Sequence, residues 1–198
     1  NLGVVKTGAG IQVLAGANTF TGNVAVNAGT LAARSDTALG AGVVAVNGGT
    51  LDLTGTAVTN AITLNSGALV GGQVAIANIT LVTGSVGTKL TGPGALTKSA
   101  NGTLTFSGDN DFSGGVTVSA GTLAARSDTA LGTGSVTVTA GTLDLSGASI
   151  ANAVSITGGT ITGGTINVGS GATVDVQAGT ISSAISGQGG LIKTGTGT

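Results

Sequence analysis

The side chains able to do chemistry are few, and they fall into small groups. The chain carries six Lys and Arg residues and seven acidic ones, every acid is Asp, and Cys and His are absent. Without them there is no thiolate nucleophile, no imidazole base and no histidine zinc ligand. The densest acidic group is Asp109-Asn110-Asp111. A hard cation wants six or more oxygen ligands, and the corresponding Ala17-Asn18-Thr19 has no carboxylate, so an Asx-type corner turn is the better reading. Arg34-Ser35-Asp36 and Arg126-Ser127-Asp128 bring opposite charges close along the chain. Each opens a loop running to Gly40 or Gly132 in which Ser or Asp is placed to cap one helical turn. As a functional site these are surface contact loops displayed twice, with Arg34, Asp36, Arg126 and Asp128 as contact residues. As plain structure they are exposed loops with weak ion pairs.

Asp52, Asp144 and Asp175 invite comparison with carboxylate pairs that cleave glycosidic bonds, which stand about 5–9.5 Å apart. Asp52 and Asp144 hold corresponding positions in two distant repeat copies and cannot meet; solubilising outward positions account for them. No Gly-x-Ser-x-Gly elbow or phosphate loop occurs. No catalytic, cofactor-binding or metal-binding residue is assigned, no cofactor is called for, and the chain is not expected to be an enzyme. Asn78-Ile79-Thr80 and Asn101-Gly102-Thr103 have the form of glycosylation sequons, which such a composition produces by chance. With a net charge of -1, no basic patch can neutralise phosphates, which argues against a nucleic-acid partner and a polybasic membrane anchor. Gly, Thr, Ser or Asn interrupts every apolar run well short of the roughly 18 residues a spanning helix needs, so no direct membrane insertion is expected. No secretory leader opens the chain at Asn1, and Thr198 falls within a repeat, so the sequence reads as an excised fragment.

Two periods organise these groups. AGTLAARSDTALG at Ala28–Gly40 recurs unchanged at Ala120–Gly132, 92 residues later, and GTLDLTG at Gly49–Gly55 matches GTLDLSG at Gly141–Gly147. The long units are about 2–93 and 94–189, with a third beginning at Gly190. A shorter period of about nineteen residues is marked by Gly10, Gly29, Gly49, Gly67, Gly84, Gly102, Gly121, Gly141, Gly159 and Gly179. Between the glycines, apolar and polar residues alternate, as in Val116-Thr117-Val118 and Leu143-Asp144-Leu145, the mark of half-buried strands.

A meander of hairpins gives no reason for one glycine position to return at one spacing. Stacked coils do, because equivalent corners fall into columns. The fold class is therefore all-β: a right-handed parallel β-helix of about ten coils, one continuous domain over 1–198, with handedness set by the rule for parallel crossovers. Asn27, Asn47, Asn65, Ser119, Thr139, Thr157 and Gln177, two residues before the glycine, are expected to form a polar ladder. Thr30, Thr50, Thr103, Thr122, Thr142, Thr160 and Thr180 are expected to form an outward threonine column. A flat ice-matching face would need a second such column, which Asp52 and Asp144 break. One coil buries too little apolar surface to offset its own ordering, so coils must stack to fold.

The stretch GALTKSANGTLTFSGDNDFSGGVTVSAGTLAA, Gly94–Ala125, and its earlier copy Val4–Ala33 resemble the passenger-associated repeat of bacterial autotransporters. The resemblance lies in the order of Lys, Gly, Asn, Phe and Gly. Gln12 and Val13 depart from the usual Thr-Leu, and Ala100 replaces a glycine. The resemblance implies a β-helical passenger at the surface of a Gram-negative bacterium, exported through a C-terminal translocator β-barrel of the same polypeptide. The function it implies is a rigid stalk and folding and export scaffold. The alternative is an adhesin or self-association module whose outward polar columns bind host glycans or a neighbouring rod.

Overall fold

Strand alternation and recurrent glycine corners produce a stack of short parallel strands in the computed structural model. It describes residues 2–195 without the side chain of Asn78, so the Asn78 sequon and residues 196–198 of the third repeat lie outside the described residues. Every recorded ladder is parallel, and the stack is a β-solenoid of about ten turns. One sheet of thirteen strands runs from Val4–Lys6 to Thr180–Ile181. In its lower half single strands such as Ile62–Ala75 turn corners and join two faces. In the upper half the second face separates into a six-stranded sheet from Leu96–Lys98 to Gly190–Lys193, and a third face holds three strands, Ser149–Ile150, Thr165–Val168 and Ala184–Gly187. The one helical element among the described residues is a 3-10 turn at Ile76–Asn78.

Stacking turns the alternation into columns of fully buried side chains. Leu31, Leu51, Leu69, Val86 and Phe106 lie one above another inside the solenoid. Leu104, Leu123, Leu143 and Ile161 do the same in the upper half. Each such residue removes about 1.5–3 kcal/mol of apolar surface from water, but only while the coils on both sides are in place. The polar ladder forms in the lower half, where Asn47 Nδ2 donates to Asn27 Oδ1 at 2.9 Å and Asn65 Nδ2 to Asn47 Oδ1 at 2.8 Å. Above, its shorter members turn to the backbone of the coil below: Ser119 Oγ donates to the Lys98 carbonyl at 3.2 Å and Thr139 Oγ1 to the Val118 carbonyl at 3.3 Å.

The glycines line up in two columns rather than one. Gly67 sits over Gly49 and Gly84 over Gly67, and in the upper half Gly141 sits over Gly121, Gly159 over Gly141 and Gly179 over Gly159. Between the two sets, Gly84 faces Leu104 instead of Gly102. Starting at Thr30, the outer column passes through Thr50, Ala68, Ser85 and Thr105 to Ala124. Five coils thus carry the column from position 30 to position 124, two residues beyond the 92-residue repeat. The expected threonine column is therefore broken: Thr103, Thr122, Thr142, Thr160 and Thr180 stand above one another, but Thr30 and Thr50 belong to a different line. The offset is even, and that is what allows it. Side chains alternate with period two, so a step of two keeps apolar residues inside, whereas a step of one would turn the strand inside out.

Candidate functional site

The two identical loops are fastened to the coils on both sides. Arg34 reaches up to Asp52 on the next coil, Nη2 to Oδ2 at 2.5 Å, and Arg126 reaches Asp144 in the same way at 2.6 Å. Neither guanidinium pairs with the aspartate two residues on. Those aspartates accept main-chain hydrogen bonds from the coil above: the Ala57 N–H donates to Asp36 Oδ1 at 2.8 Å and the Ser149 N–H to Asp128 Oδ1 at 2.7 Å. The expected helical turn is a pair of overlapping hydrogen-bonded turns, closed by the Ala38 N–H on the Ser35 carbonyl and the Gly40 N–H on the Thr37 carbonyl, both at 3.0 Å.

Buried or half-buried amides complete the fastening. From the coil below, Asn18 Nδ2 donates to the Ala38 carbonyl at 2.7 Å and Asn110 Nδ2 to the Ala130 carbonyl at 2.6 Å. From the coil above, Asn60 Nδ2 donates to the carbonyls of Gly40 and Gly42, and Asn152 Nδ2 to those of Gly132 and Gly134. Asn110, 4% exposed, also accepts the Leu90 N–H on Oδ1 at 2.8 Å and so spans three coils. It is an inter-coil bridge, not the local Asx turn expected from the sequence. Its acidic neighbours turn outward: Asp109 Oδ1 accepts from Thr129 Oγ1 at 2.9 Å, and Asp111 pairs with Lys89 at 2.6 Å. No cluster of three or more metal-ligating side chains occurs among the described residues.

The carboxylates within the braces are held in their charged form. Hydrogen bonding from Arg34 brings the Asp52 carboxyl down from 3.8 to about 2, against burial and with help from Thr54, whose N–H donates to Oδ1 at 2.9 Å. Asp144 is lowered to about 2 by Arg126 in the same way, with Ser146 assisting. A carboxylate so held is a poor proton donor near neutrality. The shallow clefts beside the loops are not copies of one another. One is lined by Asp36, Thr56, Ala57 and Gln73, the other by Asp128, Thr129, Ala151 and Asn152, so only the aspartate is common to both.

Sequence reasoning gave no role to the amides Asn60 and Asn152, nor to Lys98. Lys98 is fully buried and occupies an inward strand position, at the foot of the column Val118, Val138, Ile156. Lys6 stands likewise beneath Val26, and Lys193 lies above Val176. The Lys98 ammonium donates to the Ala100 carbonyl. It also lies under Gly121 of the next coil, where an added Cβ would come within 2.8 Å of Nζ. Burial pulls its pKa below the usual lysine value. The signal lay in the alternation Leu96-Thr97-Lys98, which puts the lysine on the buried side.

The Lys6 and Lys98 corners lie within the two segments, residues 4–33 and 96–125, that match the model of the passenger-associated-transport-repeat family. These two segments are similar to the repeat found in autotransporter passengers. These boundaries agree with the resemblance drawn from Val4–Ala33 and Gly94–Ala125. The chain is also similar to the protein named adhesin BmaC autotransporter of Brucella suis biovar 1 (strain 1330), with 36% identity over 122 residues. That match takes in 60% of this chain and 3% of that protein. No solved structure matches this chain.

Proposed function

We propose that this chain is a rigid stalk segment of an autotransporter passenger, and that its coil-by-coil folding outside the cell helps to draw the polypeptide through a C-terminal translocator β-barrel of the same polypeptide. The observation that carries this reading is the double fastening of the two repeated loops. The groups that make Arg34, Asp36, Arg126 and Asp128 candidate contact residues are bonded to the neighbouring coils. Repeat units of about 2–93 and 94–189 then serve as interchangeable lengths of rod. The test is deletion of one 92-residue unit from the intact parent protein, followed by measurement of surface delivery and of the height at which a distal epitope is displayed. A stalk predicts delivery at reduced height and slower export; unchanged height would reject it.

A second reading, an adhesive surface for host glycans or a neighbouring rod, is supported by the name of the Brucella protein and by the partial exposure of the arginines, 37% for Arg34 and 36% for Arg126. Replacing Arg34 and Arg126 by Lys keeps the charge while losing the forked geometry. Loss of cell or glycan binding with stability preserved would favour adhesion through the loops.

A further inference from the structure

The sequence contains two Asn-Gly pairs, Asn47-Gly48 and Asn101-Gly102, and no Asp-Gly. In such a pair the glycine nitrogen is unshielded by any side chain and can reach the amide carbon of the preceding asparagine. Both asparagines are exposed, so access does not separate them, but hydrogen bonding does. Asn47 lies inside the strand Val44–Asp52 and faces Ser66 of the coil above. Its Nδ2 donates to Asn27, its Oδ1 accepts from Asn65, and its carbonyl accepts from Ser66 Oγ at 2.6 Å. Asn101 lies in the corner between Leu96–Lys98 and Thr103–Phe106. Among the described residues neither its side chain nor the Gly102 N–H makes a hydrogen bond.

We propose that Asn101 is a site of spontaneous deamidation in the folded chain, while Asn47 is protected by its ladder. The deprotonated Gly102 nitrogen attacks Cγ of Asn101, a C–N bond forms, and the Nδ2 group leaves as ammonia. Water then opens the five-membered imide at either carbonyl, giving aspartate or isoaspartate. No oxidant or enzyme is needed. The product matters because the Thr122 N–H binds the Gly102 carbonyl at 2.9 Å and Lys98 binds that of Ala100. Isoaspartate lengthens the main chain by one methylene between these two anchors, at the corner where the register steps by two residues.

The test is incubation of the purified chain at mildly alkaline pH, followed by peptide mapping and enzymatic isoaspartate methylation, in buffer and in denaturing urea. In buffer, modification should accumulate at Asn101 at least about tenfold faster than at Asn47, whose hydrogen bonds must open first. In urea the two should react at similar rates. Asn101→Gln should abolish the fast reaction, and Asn65→Ala, which frees the Asn47 oxygen, should accelerate the slow one. Equal rates in the folded chain, or an Asn101 that reacts only in urea, would overturn the proposal. Comparison of the aged chain with Asn101→Asp separates the added methylene from the added charge: only the aged chain should lose stability appreciably.

Discussion

At Asp144 the Arg126 guanidinium lowers the carboxyl from 3.8 to about 2, and a depressed folded-state value has a definite sign. The native state binds fewer protons than the unfolded chain, so the brace adds stability above about pH 4 and loses it as pH falls from 4 towards 2. With the arginine more than a third exposed, the contribution is about 1 kcal/mol. Arg126→Ala should return Asp144 to the ordinary carboxylate range in a carboxyl-carbon NMR titration and remove that part of the acid sensitivity. Lys98 has the opposite chemistry. Its lowered pKa means that the folded state holds its proton less well than the unfolded chain, so stability should rise as pH climbs from the folded value towards 10.5. Lys98→Met keeps the volume and removes the charge, and should flatten that rise in urea denaturation across alkaline pH. The arginine partners were legible only in part. Arg34 and Asp36 look like a pair along the sequence, but the real partner is Asp52, 18 residues on, where counting one coil forward from Arg34 would have found it.

Corners are the elements that decide how closely coils approach. Gly121 has φ 63°, a left-handed conformation, and a Cβ there would lie 2.5 Å from the Gly102 carbonyl oxygen of the coil below. Gly147 also has positive φ, 89°, but nothing stands within 4 Å of its added Cβ. Both Gly→Ala variants carry the left-handed strain of about 1–2 kcal/mol. Only Gly121→Ala must also push two coils apart. It should cost at least about 2 kcal/mol more than Gly147→Ala in urea unfolding, and equal costs would mean that close coil contact at this corner is unimportant. The alternation of strand residues and the corner glycines could be read directly, because each is a local requirement. The two-residue step between Gly84 and Leu104 could not. It depends on which residues of adjacent coils bond to each other, and the glycine spacing, 18 from Gly84 to Gly102, gave no sign that the register would run to 20.

At the scale of the whole molecule, stability belongs to interfaces between neighbouring coils, so removing a coil tests the architecture more directly than any point substitution. Two deletions remove 20 residues each: Gly159–Ala178 and Gly121–Ala140. In the first, Gly179 can settle over Gly141 as Gly159 did, Thr180 can donate to the Gly141 carbonyl, and every loop fastening survives. That variant should fold, with a urea m-value lower by about a tenth, in proportion to the surface it buries. The second deletion also lets a glycine, Gly141, settle over Gly102, but it removes the loop from Arg126 to Gly132. Asn110 Nδ2 then loses the Ala130 carbonyl while still buried, Asn152 loses the carbonyls of Gly132 and Gly134, and Asp144 loses its arginine. One buried unpaired amide costs about 1–3 kcal/mol, so the second variant should be less stable than the first by several kcal/mol at the same length. If the two denature at the same urea concentration with the same slope, the loops are decoration on a stack that holds itself, and their outward groups become free to serve as a binding surface.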